Sequence, residues 1–122
     1  MKKLIVSVRT FSEVLENFKN ALTAVRERRF EGEHYEIAFD NQKDFDRFVK
    51  NMNVLVAILN HKPKSVYELA KLLDMDVSNL NKLILFFDRA GAIRIRTSRV
   101  NGRTVKTPIV EYQQIQFDLK VA

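Results

Sequence analysis

Hydrophobic positions along the chain change their period several times, and each change predicts an element. Residues 3–9, KLIVSVR, read as a short strand. Thr10-Phe11-Ser12-Glu13 then has the form of a capping box, with Thr10 as N-cap and Glu13 reaching back to it. Phe11, Val14, Leu15, Phe18, Leu22 and Val25 follow at helical spacing and form one apolar stripe, so a helix is predicted to about Arg28, broken by Glu31-Gly32-Glu33. Tyr35, Ile37 and Phe39 alternate with His34, Glu36 and Ala38, as in a half-buried strand.

Asp40 or Asn41 can cap a second helix containing Phe45, Phe48, Val49 and Met52, restarted by Asn51 or Asn53 into VLVAIL at 54–59. That run is apolar nearly all round and is expected at the centre of a core. After His61-Lys62-Pro63-Lys64, Ser65 and Glu68 form a second capping box ahead of a short helix whose buried side is expected to be Leu69, Leu72 and Leu73. Asp76 caps the next helix, with Leu80, Leu83, Ile84 and Phe87 on one face and Ala90-Gly91 as its stop. Met75 is the expected apolar plug in the short turn between these two helices.

Ile93 and Ile95 alternate with Arg94 and Arg96, Asn101-Gly102 is a strong hairpin signal because both residues tolerate positive φ, and Arg103-Thr104-Val105-Lys106 returns. Pro108 marks an interruption or an edge position. A last strand is expected from about Val110 to Leu119, with Ile115, Phe117 and Leu119 inward. From residue 51 to 107 the order is helix, short helix, turn, helix, two-stranded hairpin, which is the order of a winged helix-turn-helix. The predicted class is therefore α+β. Residues 1–50 form a strand–helix–strand extension serving dimerisation or covering the core, and residues 51–122 form the winged helix-turn-helix with a C-terminal strand.

Composition sharpens this picture. The chain has 122 residues, 46% hydrophobic, enough for about one domain with a core. It has no Cys, which removes disulfide and thiolate chemistry and suits a reducing cytoplasm. The apolar run after Met1-Lys2-Lys3 stops at Arg9, too short for an export signal, and no run reaches membrane-spanning length. The formal net charge of +6 is uneven: residues 62–106 hold 10 Lys/Arg against 4 Asp/Glu. A localised basic excess is the footprint of a polyanion binder.

The candidate chemistry lies in the same region. Past the Asp76 cap, the helix displays Val77, Ser78, Asn79, Asn81 and Lys82, and the next acid is Asp88. Asn pairs bidentately with adenine in a major groove, Ser serves base edges or phosphates, Lys contacts phosphate or guanine, and Val packs on a thymine methyl. Lys64, Ser65 and Tyr67 lie at the start of the preceding helix, whose unpaired N–H groups suit a phosphate. Arg94, Arg96, Arg99, Arg103 and Lys106 give the hairpin a basic character, with no acid from Arg89 to Lys106, so its tip is expected to enter a minor groove or bracket the backbone.

The stretch LLDMDVSNLNKLILFFDRAGAI (72–93) resembles the second half of winged helix-turn-helix regulators of the MarR/ArsR type. The order of elements resembles more closely a group of small predicted regulators with a leading amphipathic helix (here TFSEVLENFKNALTAVRER), a strand (HYEIAF), the winged helix-turn-helix and a closing strand (EYQQIQFDL). The resemblance implies double-stranded DNA binding through the helix at 77–88, with the hairpin at 94–106 as wing. It also implies a repressor, in some members an antitoxin that controls its own operon beside a toxin gene. Here the hairpin is longer and more basic than that pattern, and Pro108 interrupts the approach to the last strand.

Other chemistries find little support. His34 and His61 are far apart without Cys partners, so no metal or other cofactor is expected. Glu31, Glu33 and Glu36 have no accompanying nucleophile or oxyanion motif, and no Gly-rich phosphate loop appears, so no enzyme is expected. The stripe Phe11, Val14, Leu15, Phe18, Leu22 and Val25 serves either the chain's own core or a dimer seam; a homodimer is expected because paired recognition helices meet half-sites one turn apart. The expected partners are double-stranded DNA, a second copy and, in the antitoxin case, a cognate toxin, without a membrane and in the cytoplasm. The competing reading is a protein-interaction module on the same scaffold whose basic wing engages an acidic protein. RNA binding is a weaker third, because few aromatics lie in 77–106 for base stacking.

Overall fold

A computed structural model describes residues 2–8 and 34–119. It is an α+β chain with five strands and four helices among the described residues: β1 (Lys3–Val8), β2 (His34–Phe39), α1 (Gln42–Lys50), α2 (Met52–His61), α3 (Val66–Leu73), α4 (Val77–Ala90), β3 (Arg94–Val100), β4 (Arg103–Ile109) and β5 (Gln114–Asp118). The helix predicted over about 10–28 and the dimer seam assigned to it lie outside the described residues. The chain divides into two compact units, 1–49 with 112–122 and 50–111.

The first unit is built on a parallel sheet of order β2-β1-β5. Leu4 and Val6 of the central strand are fully buried, and the register places Tyr35 and Ile37 beside them on one side and Ile115 and Phe117 on the other. Alternation along each strand therefore gathers the apolar side chains onto one face. Asn41 starts α1, its Oδ1 accepting the Asp44 N–H at 2.8 Å. The helix then lays Phe45 and Phe48 against that face. Phe45 meets Phe39 and Phe117 at ring-centroid distances of 6.4 and 5.9 Å, and Phe48 meets the same pair at 5.6 and 6.2 Å, in tilted and edge-on geometries that aromatic quadrupoles favour. Beside the sheet, Tyr112 is buried, and burial pushes its phenol well above the ordinary value near 10.

The sequence reading grouped the last strand with residues 51–122. Instead β5 pairs with β1 along Lys3–Ser7, and Gln113 N–H donates to the Lys2 carbonyl at 3.0 Å. The strand is also shorter than expected, and Leu119, assigned to its inner row, lies beyond it and is 84% exposed.

The second unit packs α2, α3 and α4 with the antiparallel hairpin β3-β4. Val54, Leu55, Ala57 and Ile58 of α2 are buried, as the apolar run predicted, but Val56 is 56% exposed, so that helix has a solvent side. Met52 belongs to α2 rather than to the preceding helix, because the chain breaks at Asn51. Leu69 is buried on α3, whereas Leu72 is half-exposed and Leu73 intermediate; the expected inner row holds at Leu69 and fails at Leu72. Both predicted caps form: Ser65 Oγ accepts Glu68 N–H at 3.0 Å, and an Asp76 carboxylate oxygen accepts Asn79 N–H at 3.0 Å. At the hairpin tip Asn101 and Gly102 both take positive φ, +53° and +78°, the turn whose twist matches that of the flanking strands.

Replacing Ser65 with Ala is expected to lower unfolding free energy by about 1 kcal/mol through the lost cap. Leu69→Ala should cost about 2–5 kcal/mol through a core cavity. Urea unfolding of both variants separates the two scales. For Tyr112 the sign follows from its raised phenol: stability is fully retained below pH 10, where the unfolded phenol is neutral, and is lost as pH rises and only the unfolded chain ionises. The gap between wild type and Tyr112→Phe should therefore move in favour of the Phe variant above pH 10, by up to about 1.4 kcal/mol per pH unit.

Candidate nucleic-acid interface

The candidate residues all fall in the second unit, which holds 11 Lys/Arg against 5 Asp/Glu; the rest of the chain holds 10 against 10, so the formal excess of +6 belongs to residues 50–111. Helix α4 buries Leu80, Leu83, Ile84 and Phe87 and leaves Val77, Ser78, Asn79, Asn81 and Lys82 exposed. No acid lies between Asp76 and Asp88, and Asp76 is engaged as the cap.

Helical geometry subdivides that exposed set. At about 100° per residue, Ser78, Lys82, Leu85 and Arg89 point most directly away from the buried stripe. Asn79 and Asn81, two positions apart, diverge by roughly 160° onto opposite flanks. The sequence reading treated them as neighbours on one surface, and the helix separates them. Asn81 joins Ser78, Lys82 and Leu85 at the spacing i, i+3, i+4, i+7, whereas Asn79 sits on the other side. Leu85, 36% exposed, and Arg89 were not singled out from sequence, although the same periodicity carries them.

At the start of α3, Lys62 adopts a left-handed conformation (φ +46°), Pro63 is fully buried and Lys64 is exposed. Ser65 spends its oxygen on the Glu68 cap. Tyr67 is 58% exposed, with the Lys71 ammonium 4.5 Å from its ring centroid, so one ring face already holds a cation. A bond 43 residues apart in sequence ties this end of α3 to the hairpin: Thr107 Oγ1 donates to the Lys64 carbonyl at 2.6 Å. Arg96 stands directly across the ladder from Thr107, which brings the base of the hairpin's Arg96 face to Lys64.

The hairpin's basic residues divide between its two faces. Register pairs Arg94 with Ile109, Arg96 with Thr107, Ser98 with Val105 and Val100 with Arg103, so Arg94, Arg96 and Arg103 share one face. Arg99, opposite Thr104, and Lys106, opposite Thr97, occupy the other. The two tip arginines, Arg99 and Arg103, are thus back to back. They also differ in commitment: Arg99 donates to the Gly102 carbonyl at 3.0 Å, closing the tip on itself, and Arg94 forms an ion pair with Glu111 at the base. Arg96, Arg103 and Lys106 are exposed.

Among the described residues no group of three His, Cys, Asp or Glu side chains is placed to hold a metal, and no helix is long and apolar enough to cross a membrane. The surface is thus a set of exposed amide, hydroxyl, ammonium and guanidinium groups on a helix and a hairpin. No curated protein and no solved structure matches the chain. A family model matches residues 49–117, spanning the whole second unit and most of β5, and the chain belongs to that family, HVO_A0114.

Proposed function

We propose that residues 50–111 form a winged helix-turn-helix that binds double-stranded DNA, with α4 as the recognition helix in a major groove and the β3-β4 hairpin as the wing on backbone and minor groove. The observation that carries this reading is the distribution of charge. The exposed half of α4 has no free carboxylate before Asp88, the hairpin has none from Arg94 to Ile109, and the chain's whole formal excess lies in this unit. Phosphates repel carboxylates and reward clustered cations, and major-groove edges are read by amides, hydroxyls and short apolar groups. The order α2-α3-α4-β3-β4, with a three-residue connection between α3 and α4, agrees with the motif.

Within this reading the protein is a MarR/ArsR-like transcriptional regulator, a cytoplasmic repressor without catalytic activity. It acts as a homodimer so that two α4 helices meet two half-sites. An antitoxin that represses its own operon and binds a toxin is the more specific form, decided by whether a small open reading frame lies beside the gene. Asn81 and Lys82 read bases, Lys64 and the Arg96/Arg103 face hold one stretch of backbone, and Arg99 with Lys106 faces another. Arg94, held by Glu111, positions the hairpin.

A gel-shift series with genomic fragments tests the proposal. Selective retardation that weakens with salt supports it, with a log–log slope of roughly −4 to −8 per dimer. Absence of a selective shift at both low and moderate salt would overturn it in favour of the protein-interaction module, whose basic wing takes an acidic partner. On the selected fragment, Asn81→Ala is expected to relax preference at one base pair by ~1–3 kcal/mol, whereas Arg96→Ala with Arg103→Ala should weaken all sequences about equally and flatten the salt slope. Fluorescence anisotropy on matched and mismatched duplexes reads both effects.

A further inference from the structure

We infer that Ser78, Asn81, Lys82 and Leu85 are the base-reading stripe of α4, and that Leu85 reads the 5-methyl group of a thymine one or two steps from the base contacted by Asn81. The inference rests on the duplex-binding reading above and adds a residue and a chemical group to it.

Four observations carry it. Leu85 is 36% exposed on a face whose other members are Ser78, Lys82 and Arg89, so an isobutyl group stands between cations where a soluble helix gains more from a polar residue. It is not part of the inner row, which Leu80, Leu83, Ile84 and Phe87 already fill. It lies four residues after Asn81 and three after Lys82, so the three side chains are surface neighbours, with Cβ atoms about 6 Å apart. Lastly, two of the four helical neighbours of Leu85, Lys82 and Arg89, are cations, a third is the Asn81 amide, and the fourth, Asp88, is the one acid within α4, a balance that favours a polyanion.

A major groove offers one hydrocarbon group among its donor and acceptor edges, the thymine methyl. An Asn amide reads adenine N6 and N7 in the same groove. Because bases rise about 3.4 Å per step, side chains about 6 Å apart reach adjacent or next-adjacent pairs. Asn81 and Leu85 together therefore select an adenine with a thymine one or two steps away. Val77 flanks Asn81 on its other side, eight residues and about 12 Å back along the axis from Leu85, so it reaches a different base pair.

Deoxyuridine, which lacks only the methyl, isolates this contact. The full-length protein is used to enrich sequences from a randomised duplex pool, and the best sequence is resynthesised with deoxyuridine replacing each thymidine in turn. Anisotropy at fixed salt is expected to show about a fourfold loss at one thymine per bound protomer, the worth of one buried methyl-sized group. Leu85→Ala should bind the thymine and uracil duplexes alike at that position, Leu85→Met should keep the discrimination, and Asn81→Ala should keep it while losing the adenine preference one or two steps away. Uniform tolerance of uracil by the wild type overturns the inference, as does discrimination that survives in Leu85→Ala; duplex binding itself would stand in both cases. A pool that yields no enriched sequence overturns the duplex reading and this inference together. Should Leu85→Ala fail to fold by circular dichroism, the wild-type uracil scan and Leu85→Met still decide.

Discussion

Everything that the second unit turns outward depends on how three residues, Asp74, Met75 and Asp76, redirect the chain between two helices. Asp74 takes a left-handed conformation (φ +52°) and Met75 N–H donates back to the Ala70 carbonyl at 2.9 Å, which ends α3 within one residue. Asp76 then caps α4 through the Asn79 N–H, so the new helix begins at Val77 with no slack in its rotation. Once that start is fixed, burying Leu80, Leu83, Ile84 and Phe87 leaves one choice of outward face. A slip of one residue at the turn would rotate that face by about 100° and bring Val77 or Asn79 to where Ser78 now stands. The identity of the exposed stripe is thus a consequence of two aspartates and one buried row.

Charge is arranged by the same economy. Four of the five acids of the second unit have structural assignments: Asp74 and Asp76 serve the turn, Glu68 lies in the first turn of α3, where the macrodipole favours it, and Glu111 holds Arg94. The bases of the hairpin have few such assignments. Arg99 bonds its own tip and Arg94 is paired, while Arg96, Arg103 and Lys106 extend from a two-stranded ladder with cations on both faces. Splitting them across two faces spreads repulsion between like charges and gives a thin hairpin a basic surface on either side, which a single basic face would not provide.

Local features of the fold were legible in the sequence and pairings at a distance were not. Caps at Ser65 and Asp76, the Gly91 stop and the Asn101-Gly102 turn match expectation because each rests on residues within four positions of one another. The inner rows were read less well. Periodicity gives a direction for Leu72 and Val56, but whether a neighbour arrives on that side is decided elsewhere, and both are exposed. The pairing of β5 with β1 had no local signature at all, since a parallel partner a hundred residues away leaves no turn between the strands to read. At the candidate interface, by contrast, direction is itself local: the separation of Asn79 from Asn81 and of Arg99 from Arg103 follows from the helix and strand periods.

The same distant pairing decides how the two units depend on each other. Residues 50–111 are continuous in sequence, whereas the sheet of the first unit needs strands from both ends of the described chain. Leu4 and Val6 have Ile115 and Phe117 as one flank, and Phe45 and Phe48 of α1 lie against Phe117 as well as Phe39. Without β5 the aromatic cluster loses one of its two supports and the central strand becomes an edge with unpaired N–H and C=O groups. The first unit therefore closes only after the second has been passed through, while every contact described for the second, down to the Arg94–Glu111 pair at its exit, lies inside its own sixty-odd residues. Long-range closure is the slower event on entropic grounds. Helices α2, α3 and α4 and the β3-β4 hairpin are thus the part of this chain that can form on local information, and the sheet of the first unit is the part that must wait for the whole of it.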